Sequence, residues 1–531
     1  MPDARPRAAL DAELKPQAGD STILLGTVET LTSLAHQIRA ASGCLEPVGC
    51  LIVGERLPSP VATIATEGAG GHGIAVLGTL EDLPRLRDRL RIRAAIVSLP
   101  SSMPTVILDA RRRLAELGIE ERFLPPLREA LAPACDPSSW WRPRRGAIDP
   151  AVLIGREPHR LDRASVARVL RGKRILITGA GGSIGSELAR IAAGFDPELL
   201  ILMERSENAL FEVDRQVGAA GAPRRAVLHD VVDAAGTRRL LAELGPHVVF
   251  HAAAHKHVPL MEDHPAHAVT NNVFGTKAVA DAAVEAGCEH FVLISTDKAV
   301  HPTSVMGATK RVAEQYVRWL HEQCLPRRAA LPTAFSVVRF GNVLGSACSV
   351  LPIWAAQLAD GGPITVTDPR MTRYFMTIPE AATLVVQAAA LSGERSGPGR
   401  PDAHLFVLDM GQPVRIVDLA ERFIRLHGCE PTCRTTRPAP DAAADAIEIV
   451  FTGVRPGEKL DEELAYGSER LRPTRHAGIR ALDASADPLP DVPALIRELD
   501  EARRLPGAAM VLAALRAGVP DLGAAQLRHA G

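Results

Sequence analysis

The sequence predicts an α/β protein: a doubly wound parallel sheet with a small second lobe, preceded by a smaller α/β domain. Three observations carry that expectation. Short apolar runs alternate with helix-like stretches twice, over residues 21–126 and again beyond 160. A glycine-rich turn, Gly179-Ala-Gly-Gly-Ser-Ile-Gly185, follows one apolar run and opens an amphipathic stretch. The length, 531 residues with 46% hydrophobic and 23% charged, suits about three to four packed domains.

In the first stretch, residues 22–25, 48–54, 73–77 and 94–99 read as strands, and 31–40 and 106–117 as helices, giving a domain over 21–130 behind a flexible start, 1–20. Its first strand runs into Gly26-Thr-Val-Glu-Thr30, which lacks the clustered glycines that admit a pyrophosphate. A structural or regulatory role is expected there. Prolines at 133, 137, 143 and 150, with Trp140 and Trp141, break any periodicity and mark 131–160 as a linker. Strands are then expected at 173–177, 199–203, 227–228, 248–251, 291–295 and 336–340, placing a dinucleotide-type domain at 161–345. Beyond Gly345 the pattern turns irregular and polar, a partly interleaved lobe over 346–475. The remainder, 476–531, reads as a helical extension with helices near 492–504 and 508–517.

Lys+Arg 61 against Asp+Glu 62 leaves a net charge of −1, so no broad basic field argues for nucleic acid. Eight scattered cysteines form no disulfide framework and fit a reducing compartment, the cytoplasm by default. Direct membrane insertion is not expected, because no uncharged apolar run reaches the roughly 18 residues a bilayer requires.

The glycine turn has a job for each residue. Gly179 permits the tight turn, Gly182 lets N–H groups approach a pyrophosphate, and Gly185 allows close helix–strand packing, with Ser183 and Ile184 between them at the helix start. Glu204 lies 19 residues past Gly185, placed to accept from a ribose 2′-hydroxyl, which favours NAD; Arg205 beside it can reverse the preference toward NADP. Asp230 ends the third strand as a candidate partner of the adenine amine. His251-Ala-Ala-Ala-His-Lys-His257 ends the fourth, where Ala252 and Ala253 let the backbone close on a cofactor and Lys256 and His257 point into the crevice.

Thr296, Asp297 and Lys298 put a hydroxyl, an acid and an amine at the end of the fifth strand, and Met306-Gly-Ala-Thr-Lys310 follows. The glycine turn, Ala253-Ala-His-Lys-His-Val-Pro-Leu-Met-Glu262, Ser295-Thr-Asp-Lys-Ala299, Arg339-Phe-Gly-Asn-Val-Leu-Gly345 and Thr452-Gly-Val-Arg-Pro-Gly-Glu-Lys-Leu460 together resemble the CapD-like polysaccharide biosynthesis proteins. These are nucleotide-sugar 4,6-dehydratases of the extended short-chain dehydrogenase/reductase superfamily, with a Rossmann domain. The resemblance runs from about residue 20 to 520.

The resemblance implies a nicotinamide cofactor, NAD or NADP, retained through the cycle, and a UDP-N-acetylhexosamine substrate, UDP-N-acetylglucosamine first. It casts Lys298 as the base at C5 and Asp297 as the acid on the C6 hydroxyl, with Thr296 as partner of the C4 oxygen. Such roles need displaced pKa values, the aspartate raised by burial and the lysine lowered by cations such as Lys310 or Lys256. Lys310 corresponds to the superfamily lysine that holds the nicotinamide ribose. Met306 stands where the superfamily carries tyrosine, and a thioether has no proton to exchange, so the C4-hydroxyl base is unassigned. Arg373 and Arg455 match the family's diphosphate arginines and Asn342 is a third substrate candidate, while Asn271 or Asn272 is expected to orient active-site backbone. Homo-oligomers follow from the superfamily.

His255, His257, Glu262, Asp263 and His264 do not read as a metal site, since an ammonium at Lys256 separates the two imidazoles. His427, Cys429 and Cys433 are spaced too loosely for zinc. Two alternatives stay open: a nucleotide-sugar 4-epimerase or reductase, and a sugar-nucleotide-binding protein that has lost its chemistry. Residue identities also leave open the hexose and whether C5 is retained or inverted.

Overall fold

The computed structural model describes residues 21–40, 47–53, 63–64, 74–99, 103–123, 153–156, 158–324, 333–347, 349–392, 405–427, 429–433, 446–483 and 488–522. The expected flexible start at 1–20 and most of the linker, 131–152, lie outside them. Two compact units form, one of residues up to Glu157 with Arg425–Cys429, the other of Pro158–Ile424 with Glu430–Gly531.

The first unit carries β1 (Ser21–Gly26), α1 (Val28–Ala40), β2 (Gly49–Ile52), β3 (Thr63–Ile64), β4 (Ile74–Thr79), α2 (Leu83–Leu90), β5 (Ile92–Ser98), α3 (Pro104–Glu116) and β6 (Glu120–Phe123). Its sheet order is β3-β4-β2-β1-β5-β6, parallel except for β3 against β4. Alternate β1 side chains serve two cores: Ile23 and Leu25 pack with Leu83, Leu86 and Ile107, Leu24 with Leu31 and Leu34. Where β1 and β5 part, Thr30 Oγ1 donates to the Ser98 carbonyl at 2.6 Å. The sequence pattern misses β3, α2 and β6. They are short or charge-rich, and pairing rather than local hydrophobicity defines them.

The second unit runs α4 (Arg163–Leu170), β7 (Arg174–Thr178), α5 (Ser183–Ala193), β8 (Leu199–Glu204), α6 (Glu207–Ala219), β9 (Arg224–Leu228), α7 (Ala234–Leu244), β10 (Val248–His251), α8 (Thr276–Glu285), β11 (His290–Ile294), α9 (Val305–Cys324) and β12 (Ala334–Arg339). Then come α10 (Ile378–Ser392), β13 (Leu405–Leu408), β14 (Arg470–Pro473), β15 (Ile479–Asp483), α11 (Val492–Ala502) and α12 (Ala509–Gly518). The sheet order β14-β15-β13-β12-β11-β10-β7-β8-β9 reverses between β7 and β10, the switch point at which doubly wound sheets bind ligands. Its strands are parallel except at β15, which runs antiparallel to β13 and β14.

Helix starts follow their capping residues. Asp162, Ser206, Asp233 and Asp491 each accept an N–H from the first turn of α4, α6, α7 and α11. One sheet face packs Leu176, Val249 and Leu293 against α7, α8 and α9; the other packs Ile175, Ile177 and Val292 against α4, α5 and α10. The sheet also recruits β13, β14 and β15 from beyond residue 400, so the C-terminal stretch read as helical contributes an inner strand, β15, before α11. Antiparallel closure late in the chain leaves no crossover helix to announce it.

Candidate active site

At the β7–α5 turn Gly179 has φ +65°, and a Cβ on it would lie 2.7 Å from the Ala253 nitrogen. A Cβ on Gly185 would land on the Gly179 carbonyl. The turn is therefore closed from both sides by backbone, Ala252 and Ala253 forming one wall and α5 the other. This cradle, which any side chain would fill, opens onto the N-terminus of α5 and fits the pyrophosphate of a dinucleotide. Ser183 Oγ accepts from the Ala347 nitrogen at 3.1 Å, and Lys256 Nζ donates to the Ala347 carbonyl at 2.9 Å, drawing residues 346–347 across the turn.

Glu204 ends β8 with Oε2 accepting from Gly181 N (3.2 Å) and Oε1 from Arg205 N and Ser206 N (2.9 and 3.1 Å). It thus pins the turn to the start of α6 and keeps one lone pair, on Oε2, for a further donor. The Arg205 guanidinium leans toward Asp230, Nη1 to Oδ2 at 3.7 Å.

The catalytic candidates occupy a single turn of 3₁₀ helix, Asp297–Ala299, directly after β11, with Thr296 as its cap. Asp297 is fully buried; Oδ1 accepts from Thr296 Oγ1 and from Lys298 Nζ, both at 2.9 Å, while Oδ2 has no hydrogen-bond partner among the described residues. Gly341 lies against it, where a Cβ would come within 3.0 Å of Oδ2. Lys298 Nζ also donates to Asn342 Oδ1 at 3.0 Å and stands 3.6 Å from Glu462 Oε1.

These neighbours overturn one expectation. Burial alone would lower Lys298, but the carboxylates of Asp297 and then Glu462 outweigh it and hold the lysine above its ordinary value. The cations expected to lower it are engaged elsewhere. Lys310 Nζ donates to the Ile294 carbonyl at 2.6 Å, and burial pushes it down to about 8. Lys256 is tied to residues 346–347.

Met306 is 3% exposed and packs within the core on the α9 side of the sheet, with its carbonyl accepting from Thr309 Oγ1. Of the two asparagines, Asn272 orients backbone: Oδ1 accepts from His255 N at 2.8 Å, and Nδ2 donates to His255 O and Thr309 Oγ1. His257, half-buried, is lowered by burial and then by Lys256. Glu262 Oε1 accepts from Val305 N at 2.7 Å, capping α9.

Arg373 is buried and donates to the carbonyls of Thr372, Leu460 and Lys459 at 2.7–3.0 Å. Its guanidinium thus braces the 459–462 segment. Arg455 is exposed and pairs with Glu458 at 3.1 Å.

Sequence reasoning missed Glu462, Lys459 and a buried ion cluster beside the 297–299 turn. Arg339, at the end of β12, donates to Glu314 on α9 and to Glu469, and all three side chains are fully buried. Ser295 Oγ completes Glu314 at 2.7 Å, and the Arg311 guanidinium lies 4.6 Å from the ring centre of Tyr466. Glu314 and Glu469 stand among other charged residues in the sequence, so no local pattern singles them out.

A family profile described as "Polysaccharide biosynthesis protein" matches residues 175–483, which span the glycine turn, the 297–299 turn and the Glu462 segment. The chain belongs to this polysaccharide biosynthesis family. It is 41% identical over 399 residues to the capsular polysaccharide biosynthesis protein CapD of Staphylococcus aureus, covering 75% of this chain and 61% of that one. It is also 41% identical over 445 residues to the probable polysaccharide biosynthesis protein EpsC of Bacillus subtilis, covering 82% and 67%. A UDP-N-acetylglucosamine 4,6-dehydratase (inverting) of Campylobacter jejuni is 30% identical over 302 residues, covering 55% and 78%. The chain thus spans about three fifths of the CapD relative's length. Among the described residues of this family member, no helix is long and apolar enough to cross a membrane.

Proposed function

We propose that the chain is a nucleotide-sugar 4,6-dehydratase acting on a UDP-N-acetylhexosamine, UDP-N-acetylglucosamine first, in the cytoplasm and as a homo-oligomer. The observation that carries this reading is the Asp297–Lys298 pair at the C-terminal edge of β11, joined by a 2.9 Å hydrogen bond. An epimerase needs no acid for a departing C6 hydroxyl.

A nicotinamide dinucleotide, when bound, supplies the chemistry of hydride removal at C4 and hydride return at C6. Gly179, Gly182, Ser183, Ile184 and Gly185 would hold its pyrophosphate, Glu204 and Asp230 its adenosine half, and Lys310 its other ribose. The remaining work is proton handling. Moving the Lys298 proton to Asp297 along their hydrogen bond leaves a neutral amine and a carboxylic acid, the two forms that elimination requires. Lys298 then takes the proton from C5, Asp297 gives its proton to the C6 hydroxyl, and that oxygen leaves as water, restoring the starting ion pair; a proton then returns to C5, balancing the one given up by the C4 hydroxyl. Thr296 and Asn342 are placed to steer the sugar oxygens.

The purified protein, incubated with UDP-N-acetylglucosamine in heavy water, is expected to release a product lighter by one water and carrying deuterium. Lys298→Ala should reduce that conversion at least about a hundredfold, since it removes a proton-transfer group whose loss costs about 10²–10⁴-fold. Mass spectrometry of the sugar nucleotide reads both. Unchanged conversion in Lys298→Ala defeats the assignment, and epimerised product without water loss defeats the dehydratase reading.

A further inference from the structure

Glu462 lies in the segment after Arg455, far along the chain from the catalytic turn, yet its side chain is only 3% exposed. Oε1 stands 3.6 Å from Lys298 Nζ, Oε2 is 3.7 Å from Lys459 Nζ, and the Arg373 Nε is 3.9 Å from Oε1. Oε2 is buried without a hydrogen-bond partner among the described residues, as is Asp297 Oδ2 on the other carboxylate at the same lysine. A buried carboxylate is costly unless its charge is used.

The segment is also firmly held. Thr372 N donates to the Leu460 carbonyl at 2.9 Å, Arg373 binds the carbonyls of Lys459 and Leu460, and Lys459 Nζ donates to the Val300 carbonyl at 2.6 Å. These bonds tie the segment that carries Glu462 to residues 372–373 on one side and to Val300, next to the 297–299 turn, on the other.

We propose that Glu462 is a positioning residue for Lys298, its carboxylate holding the Nζ between Asp297 and Asn342 and setting how readily that nitrogen gives up its proton. The inference rests on Lys298 being the proton-handling residue of the reading above. The groups facing Lys298 are Asp297 on its own turn, Asn342, Arg373, and Glu462 with Lys459 from the later segment. Two carboxylates outweigh the cations there, in keeping with the raised lysine.

The role predicts opposite effects from two substitutions. Glu462→Gln deletes a negative charge beside the ammonium and should move the Lys298 titration midpoint down by about one unit or more. Lys459→Met deletes a competing cation and should move it up. Competitive labelling with acetic anhydride across neutral to alkaline pH, read at Lys298 by mass spectrometry, measures the midpoint without any turnover; the side chain is 21% exposed and within reach of a small reagent.

At a pH below the wild-type midpoint, Glu462→Gln should label about tenfold faster at Lys298, a one-unit shift read as a rate. An unchanged midpoint in a folded Glu462→Gln protein overturns the proposal, as do shifts of the same sign in both variants. If Glu462→Gln does not fold by circular dichroism, Lys459→Met decides alone, an upward shift supporting the role and no shift overturning it. Failure to dehydrate any sugar nucleotide is read separately, in the heavy-water experiment, and leaves the labelling result standing.

Discussion

Arg339→Met is expected to destabilise the second unit by about 3–5 kcal/mol, the usual cost of breaking a buried ion pair from one side. The guanidinium is fully buried and donates at 2.7–2.8 Å to Glu314 and Glu469. Methionine fills much of the volume but leaves two buried carboxylates sharing Arg311, whose Nη1 is 3.4 Å from Glu314 and 3.9 Å from Glu469. A lowered urea midpoint followed by circular dichroism reads the loss. Adding Glu314→Leu should recover part of it, because a buried charge without its partner is worse than an apolar pair.

The same cluster sets an acid limit. Burial by itself would raise the Glu314 carboxyl, but the Arg339 guanidinium overrides it and holds the group down to about 2. A depressed folded value stabilises fully above the unfolded value of 4.5 and is lost as pH falls toward about 2. The stability gap between wild type and Arg339→Met should therefore narrow on acidification through that window. A gap that stays constant there would mean that Glu314 is not the titrating group.

Gly185→Ala is expected to cost at least about a hundredfold in nicotinamide dinucleotide affinity, some 2.7 kcal/mol. The added methyl meets the Gly179 carbonyl, then Gly179 C at 2.8 Å and Ala180 Cα at 2.9 Å, all of them backbone that cannot rotate aside. Either α5 withdraws or the turn opens, and both move the N–H groups that a pyrophosphate needs. Fluorescence titration with the reduced cofactor measures it. Unaltered affinity would place the dinucleotide elsewhere.

What the sequence disclosed and what it hid divide along chain distance. The β7–α5 turn, the strand ends at Glu204 and Asp230, and the 295–298 turn are local patterns in which apolar runs, glycines and polar residues stand side by side. The electrostatics of Lys298 are not local. Its nearest cations in sequence pattern, Lys256 and Lys310, are spent on carbonyls, while a second carboxylate beside Asp297, that of Glu462, arrives from a later segment. Likewise Arg339 and Glu469 are separated by 130 residues, and neither pattern nor propensity links them. Strands β14 and β15 escaped for the same reason, since partners rather than composition make them strands.

The catalytic turn is roofed by residues that leave the ribosome late. Thr303 Oγ1 donates to Gly457 O, Lys459 Nζ to Val300 O and Tyr466 Oη to Ala299 O, and Glu469 closes the salt cluster below. A nascent chain that has emerged only as far as β13 can pair β7 to β12 and shape the glycine turn, but its 297–299 turn has nothing above it and Arg339 is half-matched. Cofactor capture can thus precede competence during synthesis, and a chain cut short before residue 457 should be a nucleotide binder without proton chemistry, not a slower version of the whole.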